Sequence, residues 1–124
     1  MTDPNVGDEP PDIVLTVPAR ASYARLARLA VAALASRLGC SYDEIEDLRV
    51  AVGEAFNLLV DDDDRVVVRC DVVPQAMTVE LSGEAGGPLM KVTDLTRQIL
   101  DAVTDGVDID DEDARVWLLK RWQD

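Results

Sequence analysis

Residues 41–60, SYDEIEDLRVAVGEAFNLLV, constrain this chain more than any other stretch, because their pattern is that of a capped amphipathic helix. Ser41 followed three residues later by Glu44 is a capping box, in which each side chain satisfies an N–H that the first helical turn leaves without a partner. Beyond the cap, Ile45, Leu48, Ala51, Val52, Ala55 and Leu59 recur at three- and four-residue steps. They therefore fall on one buried stripe, while Glu46, Asp47 and Arg49 point elsewhere. Glu54 lies beside that stripe, in a turn otherwise made of small and apolar residues.

The segments around this helix alternate between strand and helix periods. In 12–19, Ile13, Leu15 and Val17 alternate with Val14 and Thr16, a short strand closed by Pro18. Over 23–38, Tyr23, Leu26, Leu29 or Ala30, Ala33, Leu34 and Leu38 mark an alanine-rich helix, with Gly39 placed to cap its C-terminus. Residues 65–73 and 76–82 read as two strands joined by a tight turn at Pro74-Gln75. Val92, Leu95, Ile99, Leu100 and Val103 mark a third helix over 92–103, with Gly106 just past its end. A fourth strand at 106–109 and a fifth at 115–122 are joined by an acidic turn. Trp117 and Trp122, five apart, face opposite sides of an ideal strand, so one belongs to the core and the other to a surface suited to a partner. This order predicts an α+β fold, a two-layer α/β sandwich whose mixed or antiparallel sheet carries three helices on one face.

A chain of 124 residues suits one domain, expected over 12–124, and 48% hydrophobic residues supply its core. Residues 1–11, acidic and proline-rich, read as a disordered tail. The start has neither a basic segment nor an apolar stretch behind it, and no run of eighteen apolar residues exists. A cytoplasmic protein without membrane association is expected. The net charge of −13, from 25 acidic against 12 basic residues, opposes nucleic-acid binding, which needs cations against phosphates. It favours steering of a basic protein partner. The acidic runs 61–64 and 108–113 lack the spacing of a calcium loop and read as solvated turns. With no histidine in the chain, histidine-based catalysis and histidine metal sites are excluded. Cys40 and Cys70, each among apolar neighbours, read as two buried reduced thiols.

The run GEAFN, within YDEIEDLRVAVGEA, resembles the N-box helix of the GHKL (histidine kinase-like) ATPase superfamily. The branch it resembles is that of the anti-sigma-factor serine-protein kinases, regulators of bacterial stress and sporulation sigma factors. The likeness extends upstream through DIVLTVPA (12–19), the helix with Arg28-Leu29 and the SRLG turn (36–39), and downstream it is one of layout. The resemblance implies a GHKL-type sandwich that assembles as a homodimer. It implies that Glu54 stands where the family has a general base or water-positioning group. The family's asparagine four residues later, which holds the magnesium of ATP, is here Leu58. Asn57 comes one residue early and is offset from Glu54 by about 60° around the helix, so it would approach the same cleft with altered aim. At the turn whose aspartate reads adenine in the family, this chain has Gly83, with Glu84 adjacent, and only Gly86-Gly87-Pro88 stands where the glycine-rich lid belongs. In the family an arginine of the first helix contacts both the sigma factor and the competing anti-anti-sigma protein. Its counterpart is Arg28, with Arg25 on the same face.

The resemblance and its departures together imply an anti-sigma factor that sequesters a sigma factor and yields it to an anti-anti-sigma protein, with no cofactor and no ATP turnover. Two other readings stand beside it. One is a working serine-protein kinase using ATP and magnesium, with Glu54 as base, Asn57 as displaced metal ligand and Glu84 for adenine. The other is a binding module for an unrelated protein, since a fold does not dictate a function.

Overall fold

In the computed structural model, which describes residues 11–89 and 91–122, hydrophobic periodicity becomes a sheet with helices on one side. The tail read at 1–11 lies, except for Pro11, outside the described residues. The elements are β1 (Ile13–Pro18), a 3-10 turn (Ala21–Tyr23), α1 (Ala24–Arg37), α2 (Tyr42–Leu58), β2 (Arg65–Val73), β3 (Ala76–Gly83), α3 (Asp94–Val103), β4 (Gly106–Asp110) and β5 (Arg115–Arg121). The sheet runs β1-β2-β3-β5-β4, and every neighbouring pair is antiparallel. This is an α+β sandwich of the GHKL-like kind, with α3 carrying the chain from β3 past β5 to the outer strand β4.

Local chemistry explains the element ends. The Glu44 N–H donates to Ser41 Oγ at 3.1 Å and the Ser41 N–H donates to Glu44 Oε1 at 2.7 Å, so the capping box forms in full. Gly39, at φ 86°, ends α1 in the left-handed region that a residue without Cβ enters freely. The Pro74-Gln75 turn makes the β2–β3 hairpin with Gln75 at φ 59°. α3 begins at Asp94 rather than at Val92, because Thr93 is its cap: Thr93 Oγ1 accepts the Thr96 N–H at 3.1 Å.

The core lies between the inner sheet face and the helices. Phe56, Leu48, Met77, Leu81, Leu100 and Leu118 are its largest fully buried members. The stripe read on α2 is the buried one, with Leu48, Ala51, Val52, Ala55 and Leu59 inside and Ile45 packed against them. On α1 the side chains facing inward are Ala24, Ala27, Val31 and Ala35, whereas Leu26 and Leu29 are 46% and 45% exposed. Small residues on the inner side let α1 approach its neighbours closely, and the large leucines are left outside. At the far end of β5, the buried Lys120 joins three elements, its Nζ donating to Asp47 Oδ2 of α2 at 3.0 Å and to the Val103 carbonyl of α3 at 3.1 Å. Trp122 is buried, and Trp117 is half-buried on the helix-free face.

Candidate functional site

Of the residues that the sequence singles out, Arg28, Glu54 and Asn57 line one concavity and Gly83 another, the two share no lining residue, and Arg25 and Glu84 line neither. The first is a groove of about 380 Å³ along α1 and α2, lined by Arg28, Glu46, Arg49, Val50, Gly53, Glu54 and Asn57. On α2, the positions Gly53, Asn57, Val50 and Glu54 follow one another around about 100° of the helix, which makes them one continuous face. Gly53 sets the separation from α1. A Cβ there would meet Cδ and Nη1 of Arg28 at 3.3 Å, so the arginine lies flat over the missing side chain. A glycine inside an otherwise good helix is the signal of such a close approach, and the sequence reading passed over it.

The charges of this groove are not neutralised locally. Arg28 and Glu54 are half-buried, and neither has a hydrogen-bond or ion-pair partner among the described residues. Asn57 is exposed and equally without one among them. Arg49 and Glu46 make only a loose contact of 3.9 Å. On α1, Arg25 follows Arg28 at about 60° around the helix and Leu29 follows Arg25 at about 40° more. Leu29 and Leu26, about 100° and 160° around α1 from Arg28, are therefore exposed on the outer face of α1 beyond the groove, whereas Val50 on α2, 44% exposed, lines it.

The second concavity, of about 220 Å³, is lined among others by Leu58, Leu59, Asp64, Gly83, Leu89 and Lys91. Leu58 is only 6% exposed, since about 40° of rotation from Glu54 carries its side chain from the groove rim into the core. Gly83 closes β3, and the space a side chain would need is already occupied: a Cβ there would meet Asp64 Oδ2 at 2.9 Å. Asp64 is held in that place by the N–H groups of Arg65 and Ala85, which donate to its Oδ1 at 2.7 and 3.0 Å. Lys91 is engaged too, its Nζ donating to the Val60 carbonyl at 3.1 Å. Glu84 lines neither concavity and lies 3.4 Å from the Arg65 guanidinium on the surface.

The positions that the resemblance compares with a magnesium-nucleotide site do not converge on one concavity. Glu54 and Asn57 face one groove while Gly83 lines the other, and the position between them that should supply an amide is a core leucine. No cluster of three or more metal-ligating side chains exists among the described residues. Of the two thiols expected to be buried, Cys70 is buried and Cys40 only half-buried, at the turn between α1 and α2 where burial is incomplete. Burial first, then the carboxylates of Asp71 and Asp12, pushes Cys70 up to about 12. Cys40 is raised by burial and by Glu44, against a smaller opposing pull from Lys120. Both are poor nucleophiles.

The three helices and the five-stranded antiparallel sheet make an α+β sandwich consistent with a GHKL-like fold. Over 53 residues the chain is 45% identical to the serine-protein kinase RsbW of Halalkalibacterium halodurans, a stretch covering 43% of this chain and 33% of that protein. Over 48 residues it is 42% identical to the proteins of the same name from Bacillus thuringiensis and Bacillus cereus, covering 39% of this chain and 30% of each. The match thus spans about a third of the length of these curated relatives. No protein-family model matches the chain. Over the matched part of its length the chain is a partial homologue of the RsbW serine-protein kinases.

Proposed function

We propose that this protein is an anti-sigma factor that sequesters a bacterial sigma factor by occupancy, without ATP turnover, and is displaced from it by an anti-anti-sigma protein. In this reading it acts in the cytoplasm as a homodimer. The observation that carries the proposal is the division of the sandwich into two concavities. Arg28 and Glu54 line one together with the exposed Val50, with Arg25 exposed beyond it on α1, while Leu58, at the position the resemblance gives to the magnesium ligand, is a core residue beside the other. The first has what a protein interface needs, apolar area ringed by charge. The second has Leu58 in place of an amide, and Glu54 lines the other groove, which supports a reading without a base and a metal ligand aimed at one phosphate.

That the relatives are serine-protein kinases by name favours a second reading, an active kinase that phosphorylates the antagonist. Isothermal titration with ATP and magnesium, beside a Glu54→Ala control, separates the two. No heat, together with capture of a sigma factor by the nucleotide-free protein, is the expected result. ATP binding tighter than millimolar that disappears in the control would establish the kinase instead.

A further inference from the structure

We infer that Glu54, with Asn57, is a partner contact. In this inference the α1–α2 groove receives a partner helix that presents a basic side chain to Glu54 and an acidic one to Arg28 from the same face. The inference rests on the sequestration reading and goes beyond it, because that reading requires only the arginines of α1.

Three observations support it. First, the groove holds two half-buried charges of opposite sign, and neither is paired among the described residues. A charge at the edge of an apolar surface that is left without a counter-ion gains most when a partner brings one. Second, Val50 and Asn57 lie between the two charges around α2, so an occupant spanning both must cover an apolar side chain and a free amide as well. A helix does this naturally, because residues three and four apart share a face. Third, Gly53 lets the Arg28 side chain lie close against α2, so that Arg28 and Glu54 line one and the same groove. The basic half of the occupant also suits a chain of net charge −13, whose field steers cationic segments toward it.

The test uses the full chain, free of nucleotide and with EDTA present, titrated separately with each purified sigma factor of its host. Glu54→Arg and Arg28→Glu are compared with Glu112→Arg, a charge reversal at an exposed acidic residue outside the groove. Thermal melts of every variant confirm folding. For a sigma factor that the wild type binds, each groove reversal is expected to weaken binding at least about tenfold, with Glu54→Gln intermediate and Glu112→Arg within about twofold. Loss on Arg28→Glu with no change on Glu54→Arg would overturn this inference and leave the sequestration reading standing. If the wild type binds none of the sigma factors, both fall. Because nucleotide and magnesium are absent throughout, a role for Glu54 confined to positioning water or metal would leave these affinities unchanged.

Discussion

Changing Leu58 to asparagine restores the side chain that the GHKL resemblance calls for, and the structure says what this costs. Leu58 is 6% exposed, so nearly the whole side chain is out of water in the native state. Losing that burial forfeits about 2–3 kcal/mol, and an amide placed there without full hydrogen bonding adds about 1–3 kcal/mol. The two shapes are similar, which leaves little cavity to add, and the adjoining concavity can admit water to part of the amide. The expected destabilisation is about 3 kcal/mol, a large share of the roughly 5–15 kcal/mol that holds a domain of this size. Urea unfolding followed by the fluorescence of Trp117 and Trp122 measures it, with Leu58→Ala as a reference expected to lose about 2–3 kcal/mol. Asn57→Ala, one position away but exposed, is expected within about 0.5 kcal/mol of wild type. The asparagine variant is also expected to bind no ATP, because position 58 faces away from the groove of Glu54. A loss below about 1 kcal/mol, or a gain of ATP binding, would refute the assignment of this position to the core.

Ser41→Ala removes one arm of the capping box and releases the other, and about 1 kcal/mol of stability should go with it, read as a shift in urea midpoint at constant slope. Cys70 should resist a disulfide-exchange reagent at pH 8 in the folded protein and react at once in denaturant. Its thiol titrates at about 12 in the fold against 9.0 ordinarily, so the unfolded chain ionises first. The stability this thiol supplies is therefore present below pH 9 and is lost as pH rises through about 12. Urea midpoints should fall between pH 8 and pH 10.5, and part of that slope should vanish in Cys70→Ala.

What the sequence disclosed and what it hid differ in range along the chain. The α2 helix was legible because its signals are local: the Ser41–Glu44 box, one apolar stripe and a helical period all lie within a few turns. The hairpin turn at Pro74-Gln75 is legible for the same reason. The orientation of α1 was not. Its leucines and alanines satisfy a helical period on more than one face, and the choice between them is made by how close α2 stands, which Gly53 decides. Likewise Gly83 and Asp64 are far apart in the chain and meet only across the end of the sheet, so no spacing rule couples them. The convergence of Arg28 with Glu54 is a tertiary fact too, although both residues were singled out from the sequence for separate reasons.

The same helix therefore serves the core at position 58 and the groove at position 54, a rotation of about 40°. A resemblance to kinases read from such a helix says little about phosphoryl transfer, because most of the positions that make the helix recognisable are those that pack it. If occupancy is the mechanism, the kind of switch follows. A kinase can discharge its competitor covalently and reset the balance, whereas a pure sequestering protein responds only to the ratio of concentration to dissociation constant for each rival. Moving a shared groove from nine-tenths to one-tenth occupied by the sigma factor then takes a change of roughly 80-fold in that ratio. Affinity in the groove sets where the transition falls, but it cannot make the transition steeper. Sharper release would need a second site or coupled protomers, and for that reason the homodimer proposed above bears on regulation as well as on assembly.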